Sequence, residues 1–175
     1  VARIIGRLYQ ALGILENGNF VEVDRSDLVA GYVGHTAQKT LMKIAEADGG
    51  VLFIDEAYSL SADTGSEHGF GDEAISTLVK AMEDKRDRFA VIVAGYREDM
   101  DQFIKSNKGL KSRFQTFIEF EDYSSAELIQ IFKSIAKHSK VECSDDVEAG
   151  ILRYIKKVNP SGEDGNGRFA RNISS

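Results

Sequence analysis

Two short runs are apolar at every position, Val51-Leu52-Phe53-Ile54 and Phe89-Ala90-Val91-Ile92-Val93-Ala94. A strand with alternating polarity can leave one face in water, but a strand with no polar residue must be covered on both. Between the runs, Ala74, Ile75, Leu78, Val79 and Met82 recur at helical spacing. Buried strands alternating with helices predict a parallel α/β sheet with helices packed on it.

The remaining elements follow the same alternation. Ile4, Ile5, Leu8, Leu12 and Leu15 share one helical face, with Gly18 after the last turn. Phe20, Val21 and Val23 form a short strand, and residues 36–47 read as helix. Residues 59–71, rich in Ser, Gly, Asp and Glu, read as loop. A helix near 97–105, a turn and a strand over Thr116–Phe120 complete this part. From Tyr123 the pattern becomes helical. Ser124 and Glu127 form a capping box ahead of Leu128, Ile131, Phe132 and Ile135. A second helix spans residues 144–158, and a third starts near Arg168. The expected division is an α/β core over 1–122 and a small helical unit over 123–175.

Composition narrows the classes. Of 175 residues 42% are hydrophobic and 29% charged, too apolar for a disordered chain. The 22 Lys+Arg against 28 Asp+Glu give a net charge of −6, which argues against non-specific nucleic-acid binding. No apolar run approaches the roughly 18 residues that cross a bilayer. The first residues lack a signal-peptide cleavage site, and the single cysteine, Cys143, cannot form an internal disulfide. A reducing cytoplasm is the expected location. His35, His68, His138 and Cys143 lack metal-ligand spacing.

The first helix begins at Val1 with neither an N-cap nor a preceding strand. Helices leave their first amides unpaired and normally supply a cap. The expectation is that the chain begins inside an element, with an upstream strand and loop lost. A frayed terminus is the alternative.

The chemistry concentrates at Asp55-Glu56. The apolar strand delivers two adjacent carboxylates to its carboxyl end, where open α/β sheets place ligands. Two neighbouring carboxylates repel, so they need a cation or distinct roles. In a nucleotide triphosphatase the first holds Mg2+ and the second orients or deprotonates the attacking water. Two solvated acids at a strand end are the alternative.

With Asp55-Glu56 after its apolar run, the sequence resembles the AAA+ ATPases at their Walker B motif. It is most similar to the branch holding stage V sporulation protein K and the red-type rubisco activase. The stretches that carry the resemblance are Asp27-Leu28-Val29, Gly31 to Thr40, Leu52 to Leu60, Ala94-Gly95-Tyr96, Gly109 to Phe114 and Asn166-Gly167-Arg168, in the expected order. The resemblance implies a three-layer P-loop NTPase core lacking its first strand and phosphate loop, then a partial helical lid. No G-x-x-x-x-G-K-[ST] occurs in these 175 residues. That loop would supply backbone amides and a lysine for the phosphates, so this chain alone is expected to be inactive.

The resemblance also implies the residue roles. Asp55 would hold Mg2+ and Glu56 would activate water. Arg113 would be an arginine finger reaching ATP held by a neighbouring subunit; on its residues alone it is a surface arginine beside Lys105, Lys108 and Lys111. Arg168 would sense phosphate from the lid, with Arg171 as runner-up. Tyr96 stands at the first sensor position, where the wider family carries a polar residue; packing is the other role open to it. Tyr32-Val33-Gly34 would line a central pore and grip a polypeptide; an aromatic anchor for the loop is the alternative. The implied parent is a homo-oligomer, a hexamer, that uses ATP and Mg2+ to remodel or thread a protein substrate, without nucleic acid or membrane. A non-hydrolysing assembly or adaptor module of the same fold is the alternative, and a nucleic-acid-linked ATPase a third reading.

Overall fold

The computed structural model describes residues 1–32, 34–61, 69–138 and 145–158. The chain divides into two compact units, Val1–Phe117 and Ile118–Ser175. In the first, a helix α1 (Ala2–Ala11) precedes strand β1 (Phe20–Val23), and a short helix α2 (Arg25–Leu28) leads to α3 (His35–Glu46). Strand β2 (Val51–Ile54) runs into a 3-10 turn at Ala57–Ser61, followed by α4 (Phe70–Asp84), β3 (Ala90–Val93), α5 (Arg97–Ser106) and α6 (Lys108–Arg113). The strands form a parallel sheet in the order β1-β2-β3, with Phe20 beside Val51 and Val51 beside Ala90.

Strand pleating sorts the side chains onto two faces. Val23, Leu52 and Ile54 enter a core with Leu28, Ile44, Ile75, Leu78 and Phe103, contributed by α2 to α5. The opposite face carries Phe20, Val51 and Phe53, the two phenyl rings stacked 5.7 Å apart. There α1 approaches through Gly6, where a Cβ would lie 3.1 Å from Val51, and Arg3 stacks over Phe20 while pairing with Glu22. The three layers are therefore α1, the sheet, and α2 to α5, the parallel α/β arrangement expected from the two apolar runs.

Four local readings are corrected. The apolar face of α1 is not core: Ile4, Leu8 and Leu12 are 69%, 52% and 64% exposed, because the helix meets the sheet through Gly6. Only Leu15, beyond the helix, is buried. The part of the expected 59–71 loop that is described begins as the 3-10 turn. Thr116–Phe120 is not a strand; a lone extended segment leaves its amides and carbonyls unpaired, and no strand lies beside this one among the described residues. The turn expected before it is instead the helix α6, capped by the Asn107 side chain on the amides of Gly109 and Leu110.

In the second unit, α7 (Ser125–His138) and α8 (Asp145–Val158) pack through Leu128, Ile129 and Ile155. The capping box is present. The Ser124 amide donates to Glu127 at 2.8 Å, and the Glu127 amide donates to the Ser124 hydroxyl at 3.3 Å. The hydroxyl and amide of Ser124 hold the Glu127 carboxyl below its ordinary range. The helix expected near Arg168 lies outside the described residues.

Gly50 enters β2 under the Asn19 loop, whose carbonyl accepts the Val51 amide at 2.8 Å. A Cβ at Gly50 would overlap that carbonyl oxygen, which is backbone and cannot swing away. Gly50→Ala is expected to destabilise by about 2 kcal/mol or more. In thermal unfolding this reads as a fall of roughly 4 °C or more. An unchanged melting temperature would mean that the Asn19 loop yields.

Candidate functional site

The sheet ladder continues one step past β2. The Asp55 amide donates to the Val23 carbonyl at 3.0 Å, so Asp55 leaves the sheet at its carboxyl edge. Glu56 then turns the chain with φ of 46°, the left-handed region, and among the described residues it is the one non-glycine residue there. Such a conformation costs about 1–3 kcal/mol and persists only where the surroundings enforce it. Three hydrogen bonds do so. The Glu56 amide donates to Asp55 Oδ1 at 3.0 Å, the Ser59 amide to the Glu56 carbonyl at 2.9 Å, and the Ala57 amide to the Ala94 carbonyl at 3.0 Å.

Asp55 and Glu56 border a cleft of about 620 Å³. Ser59 joins them on one side, Asp24, Arg25 and Ser26 lie on the other, and Val29 to Gly31 complete it. Asp24 caps α2, accepting the amides of Ser26 and Asp27 at 2.7 and 3.3 Å. The Ser26 hydroxyl, 2.6 Å away, and these amides hold the Asp24 carboxyl below its usual range. Among the described residues no group of three or more His, Cys, Asp or Glu is placed to hold a metal by itself. A pair of adjacent carboxylates suits a hard cation such as Mg2+, which takes most of its ligands from water and substrate phosphates.

The expected site residues do not all meet at this cleft. Tyr32 is 76% exposed on the segment before α3, its ring 6.2 Å from that of His35. Gly34 begins α3 at φ of 80°, which a side chain would resist. Tyr96 precedes α5 and is 69% exposed. Its ring lies 6.4 Å from Tyr58, which packs where a Gly95 Cβ would be, 2.7 Å from the Tyr58 ring. Burial, with the nearby charges of Glu56 and Asp99, raises the Tyr58 phenol above its ordinary value. Arg113 ends α6 with its side chain 23% exposed and pairs with Glu83 at 2.8 Å within the same chain. Its Nε is buried without a hydrogen-bond partner. Val33 and Arg168 lie outside the described residues.

Sequence reading missed how the Tyr32 segment is anchored. The Thr36 hydroxyl accepts the Ala30 amide at 3.0 Å, and the Thr40 hydroxyl donates to the Leu28 carbonyl at 3.0 Å. Lys39 donates to the carbonyls of Ser26 and Val29 at 2.5 and 3.1 Å. Both threonines are fully buried. The spacing of Thr36 and Thr40, i to i+4 on one helical face, was the signal available.

Comparison with known proteins gives a consistent pattern. Residues 2–122 match the profile of the ATPase family associated with various cellular activities (AAA), and residues 124–175 match the AAA lid domain. The chain is 46% identical over 176 residues to stage V sporulation protein K of Bacillus subtilis, covering 99% of the chain and 54% of that protein. It is 42% identical to protein CfxQ of Xanthobacter flavus, covering 98% of the chain and 54% of the relative. It is also 42% identical to the ESX-3 secretion system protein EccA3 of Mycobacterium tuberculosis, covering 99% of the chain and 29% of the relative. Among solved structures, a RuvB point mutant of Thermotoga maritima superposes with a TM-score of 0.66 at 21% identity, over 99% of this chain and 50% of that one, a similarity of fold.

Proposed function

The chain belongs to the AAA family of ATPases, and from that premise we propose that the whole protein hydrolyses ATP as a homo-oligomeric ring and spends the turnover on remodelling or threading a protein substrate. The observation that carries this reading is the Asp55-Glu56 pair, delivered by a buried strand to a cleft and held there in an enforced backbone conformation. Asp55 would hold Mg2+ and Glu56 would take the proton from the attacking water. Mg2+, when bound with ATP, supplies charge neutralisation on the phosphates. Arg113 would act across the subunit interface, Arg168 from the lid, and Tyr96 beside the nucleotide. An upstream phosphate loop would complete the site, and the division at residues 122 and 123 would separate core from lid. The chain spans 54% of two of the relatives named and 29% of the third, and these roles are proposed for the whole protein.

Tyr32 supports the threading part. It is a bulky, exposed ring on a segment bounded by Gly31 and Gly34 and anchored at its base to α3. An aromatic on such a segment grips a polypeptide by apolar contact without reading its sequence. Tyr32→Ala in the whole protein is expected to keep basal ATP turnover within about twofold while losing substrate remodelling by at least about tenfold, the pattern of a residue that does not touch the reacting groups. The check is ATP turnover measured beside unfolding of a tagged model substrate. Full remodelling by the variant would remove Tyr32 from this role.

A further inference from the structure

Glu56 sits at a backbone position that its surroundings must enforce, and the 56–59 turn that enforces it is itself tied down by Arg25. Arg25 is the first residue of α2, directly after the Asp24 cap, and its side chain reaches across the cleft. Its Nη1 donates to the Ser59 carbonyl at 2.5 Å. Ser59 is the residue whose amide closes the turn on the Glu56 carbonyl. On its far side the guanidinium meets the start of α4. A Cβ at Gly71 would lie 3.3 Å from Arg25 Nη1 and would overlap the Leu60 carbonyl oxygen, so α4 approaches this closely only because residue 71 is glycine.

We propose that Arg25 is a positioning residue for Glu56, holding through the Ser59 carbonyl the turn on which that carboxylate is carried. The inference rests on the reading of Glu56 as the water-activating base. A planar guanidinium suits the task because its donors are fixed in one plane, whereas an ammonium on a flexible stem is a point donor. The turn is braced on one side by the end of β3, through the Ala94 carbonyl, and on the other by α2, through Arg25. Loss of the second brace lets the turn relax toward an ordinary backbone conformation and swings the carboxylate off its line. A displacement of about 1 Å from productive geometry is worth about 10²-fold in rate.

The test uses the whole protein and compares wild type, Glu56→Gln, Arg25→Ala and Arg25→Lys. Steady-state ATP turnover, equilibrium binding of a fluorescent ATP analogue and thermal unfolding are measured for each. Arg25→Ala is expected to lower kcat by about 10²-fold while KM and the analogue's Kd stay within about threefold, with Arg25→Lys recovering part of the loss. A kcat unchanged in Arg25→Ala overturns the proposal, as does a raised KM and Kd at unchanged kcat, which would make Arg25 a nucleotide contact. If Arg25→Ala fails to fold, Arg25→Lys decides: reduced kcat at unchanged Kd supports the proposal, and full kcat overturns it. Turnover retained in Glu56→Gln, or absent from wild type, defeats the reading of Glu56 and this inference with it. Turnover lost in Glu56→Gln but intact in both Arg25 variants defeats this inference alone.

Discussion

Glu56→Gln should reduce ATP turnover of the whole protein by at least about 10²-fold, the usual contribution of a positioned general base. The substitution keeps the side chain's shape and changes none of the hydrogen bonds that hold the turn, since those use backbone groups of residues 56, 57, 59 and 94, the Asp55 carboxylate and the Arg25 guanidinium. What it removes is the capacity to accept a proton. ATP binding should therefore survive, and the melting temperature should stay where it was. The check is single-turnover hydrolysis together with nucleotide binding by the same preparation. Full hydrolysis by the variant would remove Glu56 from the role. Loss of hydrolysis with binding intact would leave the adaptor reading behind.

Arg113→Ala should be at least as damaging, but only in the assembled protein. An arginine supplied to a phosphoryl-transfer transition state is worth about 10³–10⁵ in rate. In this chain Arg113 pairs with Glu83, whose side chain is more than half exposed. A pair with one partner in water contributes about 1 kcal/mol or less, so its release costs little beside the gain at the phosphates. The Nε that lacks a hydrogen-bond partner is a further donor not yet used. Turnover per subunit is expected to rise steeply with protein concentration in the wild type and to stay low at every concentration in Arg113→Ala. A variant whose turnover tracks the wild type would leave Arg113 as the in-chain partner of Glu83 and nothing more.

The sheet was legible because its signal is local. A strand with no polar residue has one environment open to it, and β2 and β3 are found where the two apolar runs lie. Asp55-Glu56 was legible for the same reason, since a charge directly after a buried strand must emerge at the strand's end. Non-local features were not legible. Ile4, Leu8 and Leu12 have the spacing of a core helix, yet whether a stripe is buried depends on which residue meets the sheet, and Gly6 does so. Thr116–Phe120 has strand composition, but a strand exists only beside another. Arg25 drew no reading from the sequence, because the carbonyl it holds lies 34 positions away. A similar separation hid Glu83 as the partner of Arg113, 30 positions off.

Among the described residues β3 pairs with β2 on one side. Phe89 to Ala94 are six consecutive apolar residues, four of them of high β-propensity, with no charge, proline or glycine, a composition close to that from which intermolecular cross-β stacks are built. A strand of that composition is a template for other copies of itself wherever its edge is left unpaired. Charges bracket it closely: Lys85, Arg86, Asp87 and Arg88 precede it, and Arg97, Glu98 and Asp99 follow three to five residues after its end. Flanking charges of this kind act as gatekeepers, since stacking the apolar segment in register would stack like charges above and below it. Charges outside the strand thus guard it, and neutralising Arg88 or Arg97 would remove part of that protection.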